Sequence, residues 1–293
     1  MNALEKYKLA GEIAAKALQY AATLAKEGAL ILDIADKTEK KIAELGGKPA
    51  FPMNISINDI AAHYAPIAGD KIVIRKNDYV KLDVGVHVDG FIGDTAMTVR
   101  PAGEDDLILC SRKMLEKALP LFVPGTRISD IGAVTEDVAK EFGFNPVANL
   151  TGHSLSQYDL HAGYTIPNIR NSIHKVFEEG EAYAVEPFAT PGAGMVKDSD
   201  QIMIFRWMAD RPARLPEARK ILDAAKKEYG ALPFTKRWLK ISNIKMETGL
   251  RQLISAGALY PYAVLKEVSG EPVSQAEHTV IVGKKPIVTT RLS

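Results

Sequence analysis

Cysteine is nearly absent: Cys110 stands alone among 293 residues, so no intramolecular disulfide can form and no Cys-x-x-Cys pair exists for zinc or thiol redox chemistry. A reducing, intracellular setting is the expectation, and the cytoplasm the expected location. Charge of one sign is lacking as well. With 37 Lys and Arg against 36 Asp and Glu the formal charge is +1, which argues against a nucleic-acid footprint spread over the whole molecule while leaving room for local basic patches. No uncharged apolar run reaches the roughly 18 residues of a membrane helix. Glu12, Lys16, Lys26, Glu27 and Asp33 interrupt the alanine- and leucine-rich stretch from Leu9 to Ala35, so neither a targeting segment nor a membrane partner is expected. Repeats at solenoid periods and low-complexity tracts are missing, and a composition of 46% hydrophobic and 25% charged residues excludes disorder, collagen and coiled coil.

What is present is an informative order of elements. Residues 3 to 45 read as helix, with Leu9, Ile13, Ala17, Tyr20 and Leu24 forming the buried stripe. Gly46-Gly47-Lys48-Pro49 ends that pattern, and a loop-like stretch carrying His63 runs to Pro66. Strand signals follow at Lys71–Ile74, Tyr79–His87 and Phe91–Arg100, with Asp89-Gly90 as a hairpin turn. Two helices are predicted at Asp105–Leu121 and Ser129–Phe142, the second capped by Ser129 and closed by Gly143. Beyond residue 145, Thr151–Ser154 and Leu160–Gly163 read as loops before a strand at Glu181–Phe188. Residues 195–258 are compositionally separate, with 13 Lys and Arg against 7 Asp and Glu. This net +6 block reads as mostly helical, at Pro212–Tyr229, Pro233–Ile241 and Lys245–Ser255, with Trp207 and Trp238 as its small core. Returning strands at Tyr260–Glu267 and His278–Gly283 make it an insertion into a catalytic domain of residues 1–194 and 259–293.

Chemistry concentrates in Lys81–Thr95. Directly paired hairpin residues have a constant sum of residue numbers, which is odd for a two- or four-residue loop, so Asp83 and Asp94 project from one face of adjacent strands. Two carboxylates side by side among Val, Ile and Phe repel each other and are costly to bury, so they call for a cation. Asp89, in the turn, has a local structural task instead. The plainer alternative, two solvated acids on a half-exposed hairpin, loses ground because three more ligand types recur downstream. His153 follows Gly152, Glu186 ends a strand, and Glu277 begins one. Four carboxylates with one imidazole suit a pair of divalent ions.

In that order, Asp83, Asp94, His153, Glu186 and Glu277 resemble the five-ligand dinuclear site of the methionine aminopeptidase and prolidase superfamily. The phrases Phe51–Asn58, Ala62–Pro66, His161-Ala162-Gly163 and Glu277-His278-Thr279 are similar to methionine aminopeptidase type II, as is the insertion between the fourth and fifth ligands. The match runs over nearly the whole chain, and the short N-terminus without a polybasic extension looks archaeal. The resemblance implies an α+β pita-bread (creatinase/aminopeptidase) fold with an inserted helical, winged-helix-like subdomain. It implies two divalent ions, drawn from Co, Mn, Fe, Zn or Ni: Asp83 on one, Asp94 and Glu277 bridging, His153 and Glu186 on the other. The implied activity is removal of initiator methionine before a small second residue, with a metal-activated hydroxide attacking the first peptide bond. By the same resemblance His161 faces the scissile carbonyl, His63 lies near the leaving amide, Glu186 also shuttles protons, and Phe51 and Tyr262 line the methionine pocket. His87, His174 and His278 take no part, His278 pointing away from the ligands.

Nascent polypeptides bearing N-terminal methionine are the implied partners of a monomeric enzyme. Proline dipeptidase is the nearest rival, but it carries a separate domain ahead of its hairpin ligands, whereas 82 residues precede Asp83 here. A binding role after loss of ligands is disfavoured because all five positions are filled. The basic 195–258 block reads either as a transient rRNA contact at the ribosome or, more plainly, as a solvated face.

Overall fold

The computed structural model describes residues 1–239, 241 and 243–292. Helix α1 (Ala3–Leu24) opens with a capping box: the Asn2 side chain accepts from Glu5 N at 2.9 Å, and the Glu5 carboxylate accepts from Asn2 N at 2.8 Å. Its buried face runs through Ala10, Ile13, Ala14, Ala17, Leu18 and Ala21, while the expected stripe residues Leu9, Tyr20 and Leu24 lie half-buried at the edges. Each fully buried Ile or Leu contributes about 1.5–3 kcal/mol. Helix α2 (Ile31–Glu44) packs beside it. The stretch to Pro66, expected as loop, instead contains β1 (Lys48–Pro49), β2 (Asn54–Ile57) and β3 (Ile60–Ala62). Each is too short to show alternation by itself and exists by pairing with longer strands. Conversely, Lys71–Ile74 forms no strand but a single bridge, Leu30 to Val73.

The hairpin is as predicted: β4 (Val80–Val88) and β5 (Phe91–Val99) pair antiparallel about Asp89-Gly90, both at positive φ. Strands β1 and β2 pair with β4, and α1 lies across the sheet. The crossing is close because glycines meet there. A Cβ on Gly93 would stand 2.6 Å from Gly11 Cα. Lys6 from α1 ion-pairs with Asp89 at 3.0 Å, in keeping with a structural role for that turn residue.

Helices α3 (Asp106–Ala118) and α4 (Ile128–Glu141) follow. Arg127, not Ser129, is the N-cap of α4, while Gly143 lies just past its end at φ 77° as expected. Next come β6 (Asn145–Pro146), β7 (Thr151–Leu155), β8 (Thr165–Pro167), β9 (Ala182–Val185) and β10 (Phe188–Thr190). His153 therefore sits on a strand, where a loop was expected. Residues 196–207, expected within a helical block, form the long strand β11 (Val196–Trp207). Its alternation is hidden by Asp198-Ser199-Asp200 and by register shifts against its partner. Helix α5 (Pro216–Ala224), a π-turn over Ala225–Tyr229, β12 (Phe234–Thr235), a 3₁₀ turn over Lys236–Trp238 and α6 (Asn243–Ser255) complete the block. Lys240, within the helix expected over 233–241, lies outside the described residues.

The chain closes with β13 (Leu259–Glu267), β14 (Ser274–Gln275), β15 (His278–Ile281) and β16 (Ile287–Val288). Sheet order is β12-β11-β13-β3 in one sheet, β16-β15-β9-β7-β8 in another and β14-β10-β6 in a third. One apolar core lies between α1, α2 and the hairpin sheet, and a separate one, around Phe205, Ile221, Phe234 and Leu253, holds the 195–258 block together with Trp207 and Trp238 at its edge. Among the described residues no helix is long and apolar enough to cross a membrane.

Candidate metal centre

Register places the acids. In the hairpin Asp83 pairs with Ala96 and Asp94 with Gly85, an offset of two residues that puts both carboxylates on one face. The segment before β15 then lies against β5. Glu277 N donates to Ala96 O at 2.9 Å and Thr95 Oγ1 to Glu277 O at 2.8 Å. Asp94 N donates to Thr279 Oγ1, and that hydroxyl donates on to Asp94 O. His278 pairs with Val185, so the residues just beyond that ladder, Glu277 and Glu186, are neighbours, and His153 pairs with Ala184 on the other side of β9.

The result is a buried acidic cage. Ligand-capable atoms of Asp94, His153 and Glu277 lie within 4.8 Å of one another. His153 Nε2 stands 3.8 Å from Asp94 Oδ2 and 3.5 Å from Glu186 Oε1. Asp83 faces the same cleft. Burial pushes the Asp83 carboxyl up to about 7, partly offset by a hydrogen bond from Gln275. Asp94, Glu186 and Glu277 are likewise raised, first by burial and then by neighbouring charge, from Asp83 on Asp94 and from Asp94 foremost on the two glutamates. Burial, and then His161, hold His153 well below its ordinary value, leaving a neutral imidazole able to ligate. Among the described residues no Lys or Arg side chain pairs with any of the four acids.

Whether these groups suit a cation is answered by the atoms left over. Asp83 Oδ1, Asp94 Oδ1, Glu277 Oε2 and His153 Nδ1 are buried without a hydrogen-bond partner. Unpaired buried acceptors on carboxylates are costly, and a divalent cation held among these acids and the imidazole would relieve both the orphaned oxygens and the repulsion. The donor set fits.

Around the cage the cleft is lined by Phe51, Asn54, Ala62, His63, Leu160, His161, Ile204, Pro233 and Tyr262, enclosing a cavity of about 70 Å³. Phe51 is buried with its ring on Gly85, where an added Cβ would come within 2.1 Å of Phe51 Cε1. His63 adopts φ +67°. A β-carbon-bearing residue in that region costs about 1–3 kcal/mol and is held by its surroundings. Here Nδ1 donates to Ala263 O at 3.1 Å. Since a carbonyl only accepts, Nδ1 carries the proton, and burial keeps the ring neutral, so Nε2 is an acceptor. The His161 ring lies 4.4 Å from that of His153, tilted by 53°, and stacks on Tyr262 at 6.2 Å. Burial, then the fields of His63 and Arg206, hold it below its ordinary value, although solvent still reaches its ring at the rim. His278 turns away from the acids, its Nδ1 2.9 Å from Thr290 Oγ1.

Two residues that support the site carry no sequence signal strong enough to single them out. Gln275 Nε2 donates to Glu186 Oε2 at 3.4 Å, and its signal was the period-two spacing from Glu277. Asn54 faces Asp83 across the β2–β4 ladder with Oδ1 buried and unpaired. Nothing in its phrase set it apart.

A strand-borne cage of carboxylates and one imidazole, opening onto a histidine-rimmed cleft, defines a metallohydrolase. The profile of metallopeptidase family M24 matches residues 5–206. The chain is 47% identical over 289 residues to a methionine aminopeptidase of Thermococcus onnurineus, covering 97% of this chain and 98% of that one. To the methionine aminopeptidase of Methanocaldococcus jannaschii it is 42% identical, covering 98% of each. This chain belongs to family M24 and shares the pita-bread fold. Solved structures bear out the fold: the Thermotoga maritima methionine aminopeptidase superposes with a TM-score of 0.73 at 21% identity, covering 99% of this chain and 96% of that one. The Pyrococcus furiosus prolidase gives 0.64 at 16%, covering 99% and 64%.

Proposed function

We propose that the protein removes the N-terminal methionine from nascent proteins and peptides in a metal-dependent reaction, preferring a small second residue, with Asp83, Asp94, His153, Glu186 and Glu277 as the ligands of two divalent ions. The buried, orphaned oxygens of the acid cage carry this reading, and the relatives' shared name supports it. Bound there, divalent ions would polarise a peptide carbonyl and acidify water. The chain's own groups do the rest. His161 presents an N–H to the scissile carbonyl, where negative charge develops. His63 Nε2, an acceptor by its bond to Ala263, receives a hydrogen bond from the N–H of the leaving amide. Glu186, held by Gln275, moves the proton toward the leaving amine. Phe51 and Tyr262, with Ile204 and Pro233, form the apolar slot for an unbranched thioether.

Within this reading the enzyme is a cytoplasmic monomer whose catalytic domain spans 1–194 and 259–293, with 195–258 as a winged-helix-like insertion. Several of the block's cations are committed to ion pairs, Lys226 with Asp210, Lys236 with Glu247 and Lys245 with Glu217. That favours a solvated face over an rRNA contact.

Chelation followed by addition of Mn, Co or Fe is the direct test. Met-Ala-Ser hydrolysis should vanish and return, with Ala-Pro left uncut; activity surviving thorough metal removal, or a preference for Ala-Pro, would overturn the reading. For His161→Ala, loss of one carbonyl donor should lower kcat about 100- to 1,000-fold with metal content unchanged.

A further inference from the structure

One carboxylate outside the cage ties three walls of the cleft together. Glu39, on α2, accepts from Arg237 Nη2 at Oε1 and from Arg237 Nη1 at Oε2, both at 2.7 Å. Trp238 Nε1 adds a third bond to Oε2 at 2.8 Å, and Met53 N a fourth to Oε1 at 3.2 Å. Arg237 in turn donates to Asp36 Oδ1 at 2.8 Å and through Nε to Pro66 O at 3.0 Å. Side-chain exposure is 11% for Glu39 and 9% for Arg237, so solvent screens the pair little.

Each strut ends beside the cleft. Met53 lies between Phe51 and Asn54, both lining it, and Pro66 is three residues past His63. Arg237 follows Pro233 and β12, which pairs with β11 at Ile204, so this end carries the opposite apolar wall. The 51–54 wall packs partly with the far wall, Phe51 with Leu232 and Met53 with Ile204, whereas Phe234 and Leu239 belong to the block's own core. A bidentate Arg–carboxylate pair has a defined distance and plane, which a lone charge contact lacks.

We infer that Glu39 and Arg237 are positioning residues that set the width of the apolar slot, and thereby its selectivity for an unbranched first side chain. The inference rests on the proposed methionine specificity. Neither residue touches the cage, so metal binding is independent of them.

The test compares wild type with Glu39→Gln and Arg237→Lys, two changes that keep size and some hydrogen bonding so that at least one folds. Steady-state kinetics on Met-Ala-Ser and Leu-Ala-Ser, metal content and Tm are measured for each. The expected result is a KM for Met-Ala-Ser raised about tenfold with kcat little changed, and a Met-over-Leu preference lowered about tenfold, the low end of what a methylene-sized change in an apolar slot is worth. Metal content stays at the wild-type value. A lowered Tm with KM and preference unchanged in the folded variants would make the pair a stabilising contact only and overturn the inference. Wild type that binds metal yet cleaves neither peptide would overturn the functional reading, and the slot-width inference with it.

Discussion

Asp94→Asn and, separately, His153→Ala lose bound metal and Met-peptide hydrolysis together. Asp94 is the centre of the cage: its carboxylate is within 3.8 Å of His153 Nε2, its neighbours across the site are Asp83 and Glu277, and its backbone is pinned on both sides by Thr279. Because the backbone pins do not involve the side chain, the asparagine variant keeps the local fold while losing a charge that the ions require. The loss in metal affinity should exceed the roughly 10- to 100-fold that follows removal of an outer partner of a ligand. Removing a charge from a crowded acidic cluster also relieves repulsion, so the metal-free Asp94→Asn protein should be no less stable than metal-free wild type. Metal analysis, activity and Tm on the same samples check all three points. Wild-type metal content in both variants would remove Asp94 and His153 from the ligand set.

Stripped of metal, wild type loses stability as pH rises from about 4 toward 7 and beyond. All four carboxylates are raised in the fold, Asp83 from 3.8 to about 7 and the others well above their ordinary values. A carboxyl whose folded value lies above its unfolded one binds more protons in the native state. Its contribution is complete below the unfolded value and disappears as pH climbs through the folded one. Metal reverses the dependence, since ions require the ionised ligands and bind better as pH increases. The Tm difference between metal-saturated and chelated protein should therefore widen from pH 5 to 8. At a metal concentration 100 times Kd, binding adds about 2.7 kcal/mol, or ~4 °C for a chain of this length. A gap that stays constant or narrows over that range would mean the cage is not where the metal binds. The direction for Glu186 matters here. Beside a cation its carboxylate is expected to titrate low, and without one it is raised.

How much of this was legible in the chain varies from residue to residue. Asp83 and Asp94 could be placed on one face by counting, because a hairpin with Asp89-Gly90 at its tip has one strong register. The helical N-terminus was equally plain, since an amphipathic stripe needs only local spacing. By contrast β7 was hidden, because Thr-Gly-His-Ser has no apolar alternation and becomes a strand only through ladders to β8 and β9. Strand β11 was obscured in the same way by its acidic interruption and bulged register. Gln275 and Asn54 carry no distinctive motif, and their importance lies in which side chain they face.

Taken alone, the sequence determined the chemical inventory: which acids and histidines exist, the hairpin that pairs two of them, and the compositional break at 195–258. Only the tertiary structure decided that Glu277 lies against β5, that His63 is an acceptor at Nε2, and that Glu39 meets Arg237 across 198 residues. Local spacing fixes what neighbours in the chain do through backbone geometry. Contacts between distant segments depend on how whole sheets and helices pack, and no short-range pattern encodes that.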